Sequence, residues 1–123
     1  MFYLDTSAAV KLVIAEAETP ALRFWIVELS RRIVSSDLLR TELQRTIRRK
    51  APRRMAAARD LLDSLVLMRL TTAAYETAGL LEPAGLRSLD ALHLVAALGL
   101  GSELSGIVTY DQRLAEAAQF VGG

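Results

Sequence analysis

The 123-residue sequence predicts an α/β fold, a three-layer α/β/α sandwich around a short central parallel sheet of four to five strands. Short apolar runs alternate with longer helical patterns along the chain. Helical segments separate the predicted strands, and crossovers of this kind join parallel strands. No repeat and no Pro/Gly/Ser-rich linker interrupts the pattern, so residues 1–123 are expected to form a single domain.

Two strands and four helices are predicted in the first half of the chain. The strands cover residues 2–4 and 33–35, and the helices cover residues 7–15, 20–32, 37–50 and 53–64. Thr19 and Pro20 are typical of an N-cap followed by a first helical position. Pro52 ends the third of these helices, because a proline disfavours helical backbone at the residue before it, Ala51.

The second half is predicted to alternate strands with three further helices. The strands cover residues 65–70 and 106–109, the helices cover residues 73–81, 88–100 and 112–118, and residues 120–121 are a candidate for a minimal fifth strand. Pro83 and Gly85 mark the loop between the first two of these helices. The second helix is apolar on nearly all sides, which predicts a buried, central position.

Composition excludes several classes of protein. Hydrophobic residues make up 52 % of the chain and the mean hydropathy is +0.28, which favours a compact globule over a disordered chain. The apolar runs are too short to span a bilayer, so no membrane association is expected. Without cysteine there is no disulfide framework, thiolate zinc site or cysteine nucleophile. A cytoplasmic location is the simplest expectation.

Four carboxylates stand where the predicted fold can bring them together: Asp5, Glu42, Asp90 and Asp111. Asp5 and Asp111 directly follow strands, and sites in parallel sheets form at the carboxyl ends of the strands. Asp90 lies near the first turn of the buried helix. Converging carboxylates raise one another's pKa unless a cation neutralises them, and oxygen ligands without His or Cys favour Mg²⁺ or Mn²⁺.

Each carboxylate also has a structural explanation. The three aspartates lie at or just inside helix starts, where a carboxylate caps free amides and contributes about 1 kcal/mol. Glu42 is too far into its helix to cap it, and it lies beside the apolar stripe of that helix. Its structural alternative is an ion pair with Arg45 or Arg49, which lie further along the same side of the helix.

Polar neighbours suit the same site. The hydroxyls of Thr6, Ser7 and Thr109 lie beside two of the acids, where they either support the acids or serve as turn and cap hydroxyls. His93 is the only histidine and lies one turn beyond Asp90 on an apolar helix. That setting is more typical of a hydrogen-bonded core residue than of a ligand or base. Tyr3 is expected to pack in the interior rather than to stack on a base.

Charge is distributed unevenly along the chain, although the net charge is only +1. Residues 37–54 contain two acidic and seven basic side chains, and the basic ones are Arg40, Arg45, Arg48, Arg49, Lys50, Arg53 and Arg54. A basic segment on a nearly neutral protein suggests a surface that faces a polyanion. The alternative is a solvated helix face with scattered ion pairs.

The chain resembles the PIN-domain ribonucleases, and among them the toxin component of VapBC-type toxin–antitoxin pairs. The resemblance spans essentially the whole chain and is carried by four segments in order, YLDTSAAVKL, SSDLLRTEL, LRSLDALHLVAA and VTYDQRLAEAA. It implies a PIN-like, Rossmann-like fold with four acids around Mg²⁺ or Mn²⁺. The residues at those acidic positions are Asp5, Glu42, Asp90 and Asp111. Thr6 and Thr109 take supporting roles in this pattern, and the resemblance also implies a homodimer and a small antitoxin that occupies the active-site groove.

The expected reaction is hydrolysis of an RNA phosphodiester bond, with a structured RNA such as tRNA or rRNA as substrate. Asp5, Asp90 and Asp111 are the expected direct metal ligands, and Glu42 binds the metal directly or through water. The seven basic residues of segment 37–54 are expected to follow the RNA backbone.

Three alternative functions share parts of the pattern. A phosphoacceptor receiver domain is excluded, because no aspartate follows the third predicted strand and the only lysines are Lys11 and Lys50. A catalytically weak binding module with the same fold stays open. A DNA-directed nuclease with the same acidic site also stays open, because the metal chemistry is shared.

Overall fold

A parallel sheet lies at the centre of the computed structural model, which describes residues 1–122, with side chains to residue 119. In these residues the strands are β1 (Phe2–Leu4), β2 (Ile33–Ser36), β3 (Val66–Met68) and β4 (Gly106–Val108). Their order across the sheet is β3-β2-β1-β4, and all three pairings are parallel. The predicted parallel α/β architecture is confirmed, with four strands in the described part of the chain.

Helices connect the strands and cover the sheet. Within residues 1–122 they are α1 (Thr6–Val13), α2 (Thr19–Arg23), α3 (Leu38–Lys50), α4 (Met55–Ser64), α5 (Thr72–Gly79), α6 (Ser88–Leu98) and α7 (Gln112–Gly122). The 3₁₀ turn Pro52–Arg54 replaces the first turn of the helix predicted over residues 53–64. A second 3₁₀ turn, Gly101–Glu103, follows α6, which ends at Leu98 rather than at the predicted residue 100. Over the same described residues, no helix combines the length and the apolar character needed to cross a membrane.

Two sequence predictions of secondary structure are wrong. The single helix predicted over residues 20–32 is α2 followed by a π-helical turn at Phe24–Glu28. The helix cannot continue to residue 32, because Ser30 has a left-handed φ of 51°. The strand predicted at residues 120–121 is part of α7, since no glycine or proline interrupts that helix before Gly122.

The core lies on both faces of the sheet. Side chains alternate between the two faces along a strand, so the neighbours Tyr3 and Leu4 point to opposite faces. Leu4 packs with buried residues of α1, α3 and α4. Tyr3 packs with Val34 of β2 and with Ala96 and Ala97 of α6. The sheet therefore brings a tyrosine hydroxyl to the face covered by α6.

Candidate active site

Asp5 is almost fully buried (3 % exposed) at the carboxyl end of β1. Its Oδ1 accepts hydrogen bonds from the Ala8 amide at 3.0 Å and from the Ser7 hydroxyl at 2.8 Å. Its Oδ2 accepts one from the Thr109 hydroxyl at 2.6 Å. Burial raises the pKa of Asp5, and these hydrogen bonds oppose the rise. Asp5 thus caps α1, as the structural explanation predicts, and is also tied to the segment after β4.

Asp111 lies beyond the carboxyl end of β4, next to β1 in the sheet. Its Oδ1 accepts hydrogen bonds from the amides of Arg113 at 2.9 Å and Leu114 at 3.3 Å, so it caps α7. Its own amide donates to the Thr109 hydroxyl at 3.0 Å, and that hydroxyl in turn donates to Asp5. One threonine therefore fixes the spacing between two of the predicted acids.

Asp90 behaves differently from the other two aspartates. It lies in the first turn of α6, but Arg87 occupies the N-cap position of that helix. The Asp90 carboxylate has no hydrogen-bond or salt-bridge partner among the side chains and amides described up to residue 119. Burial, followed by the nearby charge of Asp111, raises the pKa of Asp90, with smaller contributions from Asp5 and Glu42. The nearby His93 opposes this rise. Helix capping therefore does not explain Asp90, and its carboxylate is disfavoured by burial and by the charges of the other acids.

Glu42 faces the same end of the sheet from α3. Its Oε1 accepts a hydrogen bond from the Thr6 hydroxyl at 3.0 Å and lies 2.5 Å from Nε2 of His93. Among the side chains described, its one salt-bridge contact is with His93, and neither Arg45 nor Arg49 pairs with it. The proposed intrahelical ion pair is therefore not formed.

A chain of hydrogen bonds leads from the interior to Glu42. The Tyr3 hydroxyl lies 2.8 Å from Oγ of Ser36 and 2.7 Å from Nδ1 of His93, and all three residues are buried. Burial raises the pKa of Tyr3 to about 12, so this hydroxyl keeps its proton at neutral pH. When Tyr3 donates to Nδ1, a neutral His93 carries its proton on Nε2, facing Glu42. We call Ser36, Tyr3, His93 and Glu42 the relay.

Sequence reasoning captured only part of the relay. His93 is buried and hydrogen bonded, as predicted. Tyr3 packs in the interior as expected, but the polar role of its hydroxyl was missed. The sequence does carry a signal for the contact between Tyr3 and Ser36. Tyr3 pairs with Val34, and residues two apart in a strand share a face, so Ser36 lies on the same face of the sheet as Val34 and Tyr3.

The four carboxylates do not form a closed metal cage. Among the residues described, no group of three or more His, Asp or Glu side chains lies close enough together to hold an ion. Asp5 and Glu42 are already engaged by hydroxyls, an amide and an imidazole, whereas Asp90 is unpaired within that set. The donor set is all oxygen and carries mutual repulsion. It fits a hard divalent cation that keeps several of its waters and uses few direct carboxylate ligands.

The basic residues of segment 37–54 occupy more than one surface. Arg45 lines a groove together with Glu42. Arg40 pairs with Asp37 at 3.1 Å, and Arg54 donates from Nε to the carbonyl of Val13 at 3.0 Å. Arg48, Arg49 and Lys50 are exposed in the last turn of α3, and Arg53 is exposed in the following 3₁₀ turn. RNA binding by these seven residues stays a prediction.

Three further arginines lie near the acids and were missed from the sequence. Arg69 lines the groove that contains Arg45 and Glu42. Arg87 and Arg113 line a second groove, of about 300 Å³, together with Asp90. They stand far apart from one another, so no local cluster of charge marks them. Arg87 and Arg113 are sequence neighbours of Asp90 and Asp111, whereas only the fold brings Arg69 to the groove beside Glu42.

Comparison with known proteins agrees with this fold. Residues 2–119 match the PIN domain family. Ribonuclease VapC47 of Mycobacterium tuberculosis (strain CDC 1551 / Oshkosh) is 44 % identical, over 99 % of this chain and 93 % of its own. Ribonuclease VapC46 of strain ATCC 25618 / H37Rv is 42 % identical, over 98 % of this chain and 92 % of its own.

A solved structure gives the same picture of the fold. The crystal structure of Mycobacterium tuberculosis VapC20, a sarcin-ricin loop cleaving toxin, matches with a TM-score of 0.78 and covers 95 % of each chain. Its sequence identity is 20 %, so this match speaks for the fold alone. The family match and the two ribonucleases extend the likeness to sequence over nearly the full chain. The chain therefore belongs to the PIN-domain family and, within it, to the VapC ribonucleases.

Proposed function

We propose that this protein is a metal-dependent endoribonuclease that acts as the growth-inhibiting toxin of a toxin–antitoxin pair in the cytoplasm. The observation that carries the proposal is the unpaired, half-buried Asp90 beside three other carboxylates at the carboxyl end of a parallel sheet. A charge in that position is unfavourable unless a cation meets it. The relatives named as ribonucleases support RNA as the substrate class.

Each acid has a proposed part in the site. Asp5, Asp90 and Asp111 would hold Mg²⁺ or Mn²⁺ directly, and Glu42 would hold it directly or through water. To share one ion, the three aspartates would have to draw closer together than they lie in the described residues. What a bound divalent cation supplies is neutralisation of phosphodiester charge and activation of the attacking water. Glu42 is held at Oε1 by Thr6 and His93, which leaves Oε2 to orient water.

The hydroxyls and arginines complete the proposed machinery. Thr109 links Asp5 to the amide of Asp111, and Ser7 holds Asp5 from the first turn of α1. Two grooves that include acids of the site also carry arginines, Arg45 and Arg69 in one and Arg87 and Arg113 in the other, and we propose that these arginines contact the RNA backbone. The surface also exposes apolar side chains, including Val66 and Leu80. We propose that such surfaces serve a homodimer, that a small antitoxin occupies the active-site groove, and that the substrate is a structured RNA such as tRNA or rRNA.

Expression in bacterial cells tests the proposed function. Wild-type protein is expected to arrest growth and to generate discrete new RNA ends, detected by sequencing, because the assembled acidic site cleaves RNA. The Asp90→Asn variant is expected to do neither. Asp63→Asn, which changes an exposed aspartate on α4, is the matched control and should behave as wild type. Equal RNA cleavage by wild type and Asp90→Asn would rule out the proposed mechanism.

A purified assay separates the RNase from the DNA-directed alternative. RNA and DNA of the same sequence are incubated with the protein in Mg²⁺, in Mn²⁺ and with a chelator. We expect cleavage of the RNA only, and loss of cleavage with the chelator. Cleavage of the DNA at a similar rate would favour the DNA-directed nuclease, and cleavage of neither strand would favour the binding module.

A further inference from the structure

A groove of about 780 Å³ opens directly beside Glu42, at the carboxyl ends of β2 and β3. The lining residues used below are Glu42, Arg45, Arg69, Leu70, Tyr75 and Leu89. Pockets that enclose small organic groups have volumes of about 300–1,000 Å³ and combine apolar walls with a few polar groups. The groove has that character, and it lies on the edge of the sheet where the acids converge.

Two acidic and two basic side chains line the groove. Among the described side chains, Asp37 pairs with Arg40 and Glu42 contacts His93, whereas the two arginines of the groove have no such partner. Neither Arg45 nor Arg69 forms a salt bridge with any side chain described up to residue 119. Arg40, on the same helix as Arg45, is instead paired with Asp37 at 3.1 Å. Two unpaired guanidinium groups within reach of one groove are suited to phosphate groups, which they bind with charge-assisted hydrogen bonds.

An aromatic ring lies in the same groove. Tyr75 of α5 is 52 % exposed, although it lines a concave surface. Its ring contacts no other aromatic residue, and its hydroxyl makes no hydrogen bond, within the described side chains. Leu89 beside it is 47 % exposed, and Leu70 contributes further apolar surface. An exposed ring with apolar walls and unpaired arginines is the combination that binds single-stranded nucleic acid.

We propose that this groove is a nucleobase subsite, in which one unpaired base next to the cleaved phosphodiester stacks on Tyr75. Arg45 and Arg69 contact the phosphates that flank this base. The inference rests on the proposed function, since it names the part of the RNA that enters the site. Single-stranded loops supply such bases, because their unstacked bases can be splayed out onto aromatic side chains. The unpaired arginines favour RNA as the occupant, because its phosphates supply negative charge that these arginines do not meet among the described side chains.

RNA binding by a cleavage-deficient protein tests the subsite. The probe is a labelled single-stranded RNA of about 12 nucleotides, within the range of known single-strand sites. It is compared with a series in which one base at a time is removed to leave an abasic nucleotide. All proteins carry Asp90→Asn, so binding is measured without cleavage. With Tyr75 intact, we expect one abasic position to weaken binding about 5- to 150-fold, the change that corresponds to the ~1–3 kcal/mol of base–aromatic stacking.

The Tyr75→Leu variant is expected to weaken binding of the complete RNA by a similar factor and to lose the penalty at that one abasic position. Tyr75→Phe keeps the ring and should bind as Tyr75 does. Phe24→Leu removes an exposed ring on the π-helical turn, outside the groove, and should also bind normally. Tyr75 is exposed, so circular dichroism should show all three variants folded.

Two outcomes overturn the subsite. Tyr75→Leu binding every RNA as tightly as Tyr75 does would show that no base stacks there. A lower oligomeric state of Tyr75→Leu in sedimentation, with RNA affinity unchanged, would assign the groove to a second copy of the chain. Both outcomes leave the proposed function standing if wild-type protein cleaves RNA, whereas absence of cleavage by wild type contradicts the proposed function itself.

Discussion

Replacing Asp90 with asparagine is expected to lower RNA cleavage more than about 100-fold and to raise the free energy of unfolding of the metal-free protein at pH 7. Loss of an outer contact in a metal site costs about 10–100-fold in activity, so loss of a direct ligand should cost more. The stability gain has a separate cause. The Asp90 carboxylate is penalised by burial and by the charges of Asp111, Asp5 and Glu42, and the amide removes that penalty.

The stability gain is expected to depend on pH. The pKa of Asp90 is raised above its ordinary value of 3.8 in the folded protein, so the folded state binds a proton more readily than the unfolded state. The contribution of Asp90 to the free energy of unfolding therefore falls as the pH rises from about its ordinary pKa through its raised pKa. Asparagine does not titrate, so the stability difference between Asp90→Asn and wild type should grow over that window and then level off.

Chemical denaturation of the metal-free proteins across this pH range measures the difference, and a cleavage assay measures the activity. Asp63→Asn serves as the control, because Asp63 is exposed and makes only a 3.8 Å contact with Arg59. It should leave the cleavage rate unchanged. An Asp90→Asn protein that is less stable than wild type at pH 7 would contradict the electrostatic account of this residue.

Replacing His93 with leucine is expected to lower cleavage about 10–100-fold, because it removes the imidazole that holds Glu42. It should also lower the free energy of unfolding by about 1–3 kcal/mol, since it breaks the buried hydrogen bond from Tyr3 and leaves Glu42 with Thr6 alone. His93 acts through Glu42 and is therefore a positioning residue. Cleavage kinetics and denaturant unfolding measure the two effects.

The His93→Gln variant separates positioning from filling of space. A glutamine amide can donate to Glu42 while its carbonyl accepts from Tyr3, so it should recover part of the activity that leucine loses. A fall in kcat with little change in KM is expected for both variants, because His93 lines neither of the two grooves proposed to bind RNA. Wild-type activity in His93→Leu would show that Glu42 needs no support from the relay.

The sequence predicted the fold and singled out the candidate acids because both depend on local patterns, and the metal site itself stays a prediction. Short apolar runs identified all four strands, although the strand predicted at residues 65–70 contracts to Val66–Met68. Helices between the strands required a parallel sheet, and a parallel sheet places Asp5 and Asp111 at one edge. Glu42 was singled out because a carboxylate beside an apolar stripe needs a partner, and the structure supplies Thr6 and His93.

Features that depend on tertiary contacts were not predictable in the same way. The relay joins four residues from β1, β2, α3 and α6, and no sequence spacing connects them. The π-helical turn after α2 is followed by a left-handed backbone at Ser30, and a serine does not predict that conformation. The basic residues of segment 37–54 are close together in sequence, so the sequence predicted RNA binding only along that segment. Arg69 and Tyr75 come from other elements and reach the groove only through the fold.

The central claim is that these carboxylates together hold a divalent cation, and a Mn²⁺ titration of the metal-free protein tests it most directly. Calorimetry with wild type should show saturable binding. In Asp90→Asn the affinity should fall more than about 10-fold, and in Asp63→Asn it should stay unchanged. Equal Mn²⁺ affinity in wild type and Asp90→Asn, or no Mn²⁺ binding by wild type, would contradict the account.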